Sequence, residues 1–400
     1  MTQYVAVLGA TGSIGDSTLA LLAAHPERFS VYALSGYGRL DKLFSLCQRF
    51  VPKRVAVPDD QVDTFSQRLS QANLDIAVVG GQSGLVDIAT DSQVDTVVAA
   101  IVGAAGLAST LAAAQAGKRI LLANKESLVM AGSLMMQAVR QNGAVLLPLD
   151  SEHNAIFQCL PASIQQDNQQ IHDEHHGVRH LWLTASGGPF LHTEYADMQQ
   201  ATLAQAVKHP NWSMGQKISI DSATMMNKGL ELIEACHLFN LPEHRINVVI
   251  HPQSIIHSLV EYVDGSFLAQ LGSPDMRTPI AHALSYPERI HSGVKSLSLY
   301  DLAGLEFLEP DLEKFLCLKL AREAMQSGSV ATIALNASNE VAVQAFIEAQ
   351  VKLTDIALIN ARVLEKIAGH PEVVESLEDI MAIDDVARRY ASSEVRLCQQ

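Results

Sequence analysis

The sequence predicts an α/β protein: a doubly wound parallel sheet at the N-terminal end, a central α+β domain and a C-terminal helical bundle. Three observations carry this prediction. Up to Asp150, short β-rich runs alternate with helical stretches, the pattern of parallel βα units. From His180 to Leu271 strand-like runs return, two of them joined across Asp264-Gly265, a hairpin turn that points to antiparallel pairing. Beyond Asp311 the pattern is helical throughout.

The seven runs of the first part are 4–8, 31–35, 54–58, 76–81, 96–102, 119–123 and 144–150. The polar, His-rich stretch 165–180 reads as a surface insertion. The runs HLWLTAS, KISIDSA, NVVI, IIHSLVEYV and SFLAQL are then expected as strands of a mixed or antiparallel sheet. After a segment with Pro274, Pro279 and Pro287, residues 292–310 read as a connector, and the final helices are expected to end near Gly328, Asn339, Thr354 and Gly369. The domains predicted are 1–150, 151–290, a connector 291–311, and 312–400.

A chain of 400 residues that is 48% apolar is long enough to bury several cores. Its net charge of -15 opposes general binding to nucleic acid, which needs basic surface. Five scattered cysteines without a C-x-x-C pair disfavour a disulfide framework or a zinc site and fit a reducing compartment. No signal-peptide pattern precedes the first strand, so the cytoplasm is expected. The uncharged stretch 96–117 is rich in Ala and Gly and reads as a buried strand, turn and helix, with no membrane span expected.

Gly9-Ala10-Thr11-Gly12-Ser13-Ile14-Gly15 follows the first strand and opens a helix. Glycines there permit a tight turn and close backbone approach, so that a pyrophosphate meets free N–H groups at a helix start in a Rossmann-like domain. The second strand ends Ser35-Gly36-Tyr37-Gly38-Arg39, with no carboxylate before Asp41. A carboxylate there would take the ribose 2′-hydroxyl of NAD, whereas Arg39, read as the only cation close behind this strand, can pair with a 2′-phosphate. NADPH is therefore favoured over NADH.

Asp150-Ser151-Glu152 closes the seventh run. In extended chain the two carboxylates point the same way and suit Mg²⁺ or Mn²⁺. The same triplet is also a helix N-cap pattern. Asp221-Ser222-Ala223-Thr224-Met225-Met226-Asn227-Lys228-Gly229-Leu230-Glu231 gathers hydroxyl, amide, ammonium and carboxylate groups at an expected strand-to-helix transition, a set suited to a phosphorylated polyol and its metal. Lys228 and Glu231 share a helix face, an order unfavourable for a mere surface pair, and Gly229 weakens the helix start. Ser186 lies in a small-residue loop after a strand. Trp212 lies in His209-Pro210-Asn211-Trp212-Ser213-Met214-Gly215, where an aromatic on a lid would exclude water or pack quietly as core. Asn124, Lys125 and Glu126 end the sixth run, where ligands of open α/β sheets bind.

Taken together, LGATGSIG, LLANKES, PLDSEHNAIFQ, SGGPF, HPNWSMG, DSATMMNKGLE, HPQSIIHS and GSPDMRTPIAHAL resemble the 1-deoxy-D-xylulose 5-phosphate reductoisomerase family, in order and over nearly the whole chain. The resemblance implies a cytosolic homodimer that converts a small sugar phosphate, using NADPH and a divalent cation (Mg²⁺, Mn²⁺ or Co²⁺), on the non-mevalonate route to isoprenoids. It implies NADPH contacts from Thr11, Gly12, Ser13, Ile14, Asn124, Glu126 and Gly215, with Gly38 and Arg39 standing where the family commonly has other residues. Metal ligation falls to Asp150, Glu152 and Glu231. Lys125, Ser151, Glu152, Ser186, His209, Trp212, Ser222, Asn227, Lys228 and Glu231 would surround the substrate. Lys125, Asp150, Glu152, His209 and Glu231 are the catalytic candidates, with Glu152 or Lys125 as proton shuttle. Three rivals stand beside this family: another NADP-dependent dehydrogenase, which leaves the carboxylates unexplained; a dinucleotide-sensing regulator, which needs no metal; and a metal site on His172, Asp173, Glu174, His175, His176 and His180.

Overall fold

The structure is a computed structural model that describes residues 2–212, 215–369 and 373–399. Two compact units result: Met1–Ser127 with Met135–Asn154 and Asp275–Val294, and Leu128–Leu134 with Ala155–Pro274 and Lys295–Gln400.

The first unit holds seven strands, β1 (Gln3–Leu8), β2 (Phe29–Ser35), β3 (Arg54–Val57), β4 (Ala77–Gly80), β5 (Thr96–Ala99), β6 (Arg119–Leu122) and β7 (Val145–Pro148). Between and after them in the chain run α1 (Ser13–Ala24), α2 (Leu40–Phe50), α3 (Val62–Gln71), α4 (Gly81–Thr90), α5 (Leu107–Gln115), α6 (Glu126–Asn142) and α7 (Ser151–Cys159), of which Leu128–Leu134 in α6 and α7 from Ala155 onward belong to the second unit. All seven predicted runs are strands. They pair in parallel in the order β4-β3-β2-β1-β5-β6-β7. Val5 to Leu8, Val55 to Val57, Val97 to Ala99 and Ile120 to Leu122 are buried, as expected of strands covered on both faces. The order reverses between β1 and β5, so a crevice opens there at the carboxyl ends of the strands. The uncharged stretch 96–117 becomes β5, a tight turn and α5, as its composition indicated.

In the second unit β8 (Val178–Ala185), β9 (Ile246–Ile250), β10 (Ile256–Tyr262) and β11 (Phe267–Leu271) form a sheet in the order β11-β10-β8-β9. β8 pairs with β9 in parallel and with β10 antiparallel, and Asp264-Gly265 turns β10 into antiparallel β11. The mixed sheet is as predicted. The helices are α8 (Ala162–Gln166), α9 (Tyr195–Met198), α10 (Leu203–Ala206), α11 (Gln216–Ala223) and α12 (Met226–Leu238). After α13 (Arg277–Ser285), which packs on α1, β6 and β7 within the first unit, the chain ends in α14 (Leu316–Ser327), α15 (Ser329–Ile347), α16 (Asp355–Ile367) and α17 (Leu377–Cys398). α15 is long and apolar enough to cross a membrane by length and composition, but 72% of its most apolar window is buried inside the fold; α16 and α17 pack against it.

Two local expectations are corrected. KISIDSA is the helix α11, because Lys217 and Asp221, four apart, form an ion pair at 2.9 Å, and a helix turns both toward the same side. Asn339 ends no helix. It lies inside α15, fully buried, and its amide donates to Asp221 Oδ1 at 2.8 Å, so a residue that reads locally as a breaker is retained by a tertiary hydrogen bond.

All five cysteines are free. Burial pushes the Cys47, Cys236 and Cys317 thiols up to about 12 and Cys159 up to about 11, which leaves them protonated and inert as nucleophiles. Burial also holds His237 of α12 down to about 4. Burial, followed by the Arg289 and Arg119 charges, does the same to His282 of α13. Both rings are neutral in the fold, while in the unfolded chain they take up protons below about 6.5. Their contribution to stability is therefore present above about pH 6.5 and is lost as pH falls toward about 4. Denaturant unfolding across this window should show decreasing stability on acidification, with a shallower decrease in His237→Gln; an identical slope in the variant removes His237 from the cause.

Candidate active site

In the first unit the candidate side chains lie on loops that follow the strands or on the helix starts after them, because a parallel sheet delivers every strand's carboxyl end to one edge. Beyond β1, Gly9 adopts φ +88°, and a Cβ there would lie 2.5 Å from the Ala100 carbonyl oxygen beyond β5. The glycine loop is thus pressed against the opposite lip of the switch point. Its backbone is fixed from β2, since Gly9 N–H donates to Ser35 Oγ at 2.9 Å and Ala10 N–H to the Ser35 carbonyl at 2.9 Å. Gly12 occupies the N-cap of α1 without a side-chain cap, so Ser13, Ile14 and their neighbours present unsatisfied N–H groups of the kind that hold phosphate. Thr11 and Gly12 thus lie on the loop after β1, and Ser13 and Ile14 in the first turn of α1.

Asn124, beyond β6, uses its amide within the fold. Nδ2 donates to the Ile101 and Gly103 carbonyls, at 2.5 and 3.0 Å, and Oδ1 accepts from Ser127 N–H. It braces the loop beyond β5, a positional role that sequence did not indicate. Glu126 begins α6 and is buried. Lys125 Nζ meets Asp150 Oδ2 at 2.5 Å, with side chains 9% and 18% exposed. The sixth and seventh strands thus bring an ammonium and a carboxylate together.

Asp150 and Glu152 are not on extended chain. The Asp150 carbonyl accepts from Asn154 N–H at 2.9 Å, and Glu152 lies in the first turn of α7. The helix-start pattern is the one realised, and Glu152 is directed by Ser151, whose hydroxyl donates to Oε2 at 2.6 Å. Carboxylates in a first turn are also favoured by the helix dipole.

The second unit carries the remaining candidates. α11 ends at Ala223, Met225 takes the left-handed conformation at φ +61°, and α12 starts at Met226. This break sets Ser222 on one helix and Asn227, Lys228 and Glu231 on the next. Lys228 and Asn227 both donate to the Glu231 carboxylate, and Lys228 and Glu231 are buried. Gly229 has a packing reason: a Cβ there would lie 2.5 Å from Ala321 Cβ, so α12 closes onto α14 only with glycine at this position.

The loop beyond β8 lies against this turn, as a Cβ on Gly188 would sit 2.6 Å from the Ser222 carbonyl oxygen. His209 Nδ1 accepts from the N–H groups of Asn211 and Trp212, at 3.2 and 2.9 Å. With Nδ1 an acceptor, the neutral ring carries its proton on Nε2, which faces Ser186 Oγ at 2.9 Å. Asn211 anchors the segment to the Pro252 carbonyl and Ser254 Oγ. Trp212 is partly exposed, its ring 6.1 Å from that of His257. Ser213 and Met214 of this motif lie outside the described residues, and Gly215 caps α11.

One further expectation changes. Arg39 is not the only cation behind β2, since Lys42 donates to the Thr11 carbonyl at 3.0 Å beside Arg39 at 3.3 Å; helical spacing from Arg39 was the available signal. Gly38 is exposed, with open space around it. In the insertion, Asp173 accepts from His175 N–H, His176 meets Ser163 and His180 meets Glu261, so these side chains serve local structure.

Sequence profiles of 1-deoxy-D-xylulose 5-phosphate reductoisomerase match residues 5–132, those of its C-terminal domain match 146–239, and those of the DXP reductoisomerase C-terminal domain match 271–390. The chain is 72% identical to 1-deoxy-D-xylulose 5-phosphate reductoisomerase of Psychrobacter sp. (strain PRwf-1), over 100% of both chains. It is 54% identical to the enzyme of Acinetobacter baumannii, over 98% of each. Its fold is similar to a DOX-P reductoisomerase crystallised with NADPH, fosmidomycin and magnesium, with TM-score 0.97, 59% identity, and coverage of 100% and 99%. It is also similar to the Zymomonas mobilis enzyme in complex with NADPH, with TM-score 0.90, 45% identity, and coverage of 99% of each chain.

Proposed function

The chain belongs to the 1-deoxy-D-xylulose 5-phosphate reductoisomerase family, and from that premise we propose how its residues serve the family reaction. That reaction is the NADPH-dependent rearrangement and reduction of 1-deoxy-D-xylulose 5-phosphate to 2-C-methyl-D-erythritol 4-phosphate, which feeds isoprenoid synthesis. The observation that carries the assignment is the succession of loops along one sheet edge: the glycine loop at the switch point, Asn124-Lys125 beyond β6, and Asp150 beyond β7. A nucleotide site and an anionic site thereby share one edge, with Lys125 at the junction.

The donor set fits both groups. Asp150, Glu152 and Glu231 offer only oxygen, which suits Mg²⁺, Mn²⁺ or Co²⁺ in an oxygen-rich site. Glycine at position 9 lets this loop close onto the Ala100 backbone, where a Cβ would clash, and the uncapped start of α1 at Gly12 leaves backbone N–H groups that suit a pyrophosphate. When bound, the cation supplies Lewis acidity toward the substrate oxygens and NADPH supplies the reducing equivalents. The residues of the chain do the rest. Thr11 to Ile14 hold the pyrophosphate on backbone N–H groups. Ser186, Ser222, Asn227 and Lys228 hold the phosphorylated end of the substrate by hydroxyl, amide and ammonium donors, with His209 orienting Ser186. Lys125 Nζ, held at Asp150, keeps a proton beside the reacting oxygens, and Glu152, aimed by Ser151, is the second candidate for that proton. By this division residues 1–150 form the NADPH domain, 151–290 the catalytic domain and 312–400 a helical domain behind α11 and α12.

The decisive assay is NADPH oxidation with 1-deoxy-D-xylulose 5-phosphate, with and without Mg²⁺ or Mn²⁺. Turnover should require the cation, and Glu231→Gln should lower it by about a hundredfold or more while NADPH affinity stays within about twofold. Near-normal turnover of that variant at ordinary metal concentration would remove Glu231 from the site.

The segment His209 to Gly215 is proposed as a lid. Trp212 contributes a partly exposed ring on a loop held by polar contacts, and such a loop excludes water when it closes. In a Trp182→Phe background, Trp212 fluorescence should change when NADPH, Mg²⁺ and fosmidomycin are added together. An unchanged signal combined with strong destabilisation by Trp212→Ala identifies it as core.

We also propose a cytoplasmic homodimer. Support for a second copy comes from β11, a sheet-edge strand with Phe267 49% and Leu268 51% exposed, the kind of apolar edge that proteins cover. The free cysteines support the compartment. Sedimentation equilibrium should give twice the chain mass, reduced by Leu268→Glu; a monomer in the wild type rejects the dimer.

A further inference from the structure

The end of β2 is where nucleotide-binding sheets choose between a 2′-hydroxyl and a 2′-phosphate. In this chain the position normally available to a hydroxyl-binding carboxylate is closed. A Cβ on Gly36 would lie 2.9 Å from Thr11 Cγ2 and 3.4 Å from Leu43 Cδ2, so a side chain there collides with the loop it would serve. The next acid, Asp41, is turned to Arg68, at 2.7 Å.

Positive charge gathers in its place. Arg39 Nη1 and Lys42 Nζ both donate to the one Thr11 carbonyl, at 3.3 and 3.0 Å. A guanidinium carries five N–H donors, and this contact is the one hydrogen bond Arg39 makes among the described residues, where it also forms no ion pair. Lys42 is held from the other side by Asp16, whose Oδ2 accepts from Nζ at 2.7 Å. Two of its three donors are therefore spoken for, and both contacts fix the ammonium over the loop. Asp16 neutralises one of the two cations, which leaves a net positive charge beside Thr11.

We propose that Lys42, together with Arg39, reads the 2′-phosphate of the dinucleotide, with Asp16 as the residue that positions the ammonium. This rests on NADPH being the cofactor. Arg39 alone would give a swinging, exposed contact. Lys42 projects from the first turn of α2, a rigid element, and supplies the fixed member of the pair. Charge-assisted donors to phosphate are stronger than neutral ones, so the preference for the phosphorylated nucleotide depends on both cations, and a ligand lacking that phosphate is indifferent to Lys42.

The test is equilibrium binding, with no turnover needed. Wild type, Lys42→Met, Lys42→Gln, Lys42→Arg and Arg39→Ala are titrated calorimetrically with NADPH, NADH, 2′,5′-ADP and 5′-AMP. Wild type should bind 2′,5′-ADP at least about tenfold more tightly than 5′-AMP; equal binding defeats the NADPH assignment itself, whatever Lys42 does. Given that preference, Lys42→Met should weaken NADPH and 2′,5′-ADP by about tenfold or more and leave NADH and 5′-AMP within about twofold. Lys42→Arg should restore most of the loss. Lys42→Gln keeps a donor for Thr11 without the charge, so it is read in place of Lys42→Met where the latter does not fold. Equal weakening of phosphorylated and unphosphorylated ligands makes Lys42 a brace of the glycine loop and overturns the proposal, as does unchanged binding of all four.

Discussion

Charge withdrawn from water must be paired, and each unit carries one lysine–carboxylate pair among the candidate residues. In the first unit Lys125 meets Asp150 at 2.5 Å; in the second, Lys228 meets Glu231, both buried. Two unit charges about 4 Å apart attract by about 4 kcal/mol at an effective dielectric constant of about 20, and moving each ion out of water costs several kcal/mol. The two terms roughly cancel, so such pairs do little for stability. What they do is fix geometry, because an ammonium beside each carboxylate keeps a charged group in place and in register.

Each pair depends on a different piece of architecture. Lys125 and Asp150 come from the ends of neighbouring parallel strands, β6 and β7, so the sheet sets their separation. Lys228 and Glu231 are three apart on α12, and the orientation of that helix follows from the left-handed turn at Met225 and from Gly229 against Ala321. The same turn carries Ser222 on α11, which is tied by Asp221 to Lys217 and to Asn339 in α15. The C-terminal helices thus hold the α11–α12 turn from behind, and a buried hydrogen-bonded carboxylate is a stiff way to do so.

The strand, loop and helix that carry the N-terminal candidates are legible in the sequence because their signals are local. The glycine loop, the strand before it and the helix after it occupy one continuous stretch, and parallel topology makes every strand end a candidate. KISIDSA misleads because its β-branched residues favour a strand locally, while the Lys217 and Asp221 spacing that fits a helix draws its strength from burial. For Glu152 the sequence expects extended chain and the structure has a helix start: two residues beyond Asp150 both conformations leave a carboxylate near the sheet edge, and in the helix Ser151 donates to it.

By itself the sequence determined the seven parallel strands, the mixed second sheet, the helical end and the family, since each rests on periodicity or on motifs within a few consecutive residues. Tertiary structure alone decided three matters. Asn339 stays inside a helix because a carboxylate 118 residues away accepts its hydrogen bond. Asn124 spends its amide on the loop beyond β5. Lys42 reaches the Thr11 carbonyl 31 residues back in the chain. Each is a contact between groups distant in sequence, where polar side chains find partners only after the backbone has been folded around them, so no local window of residues contains the information.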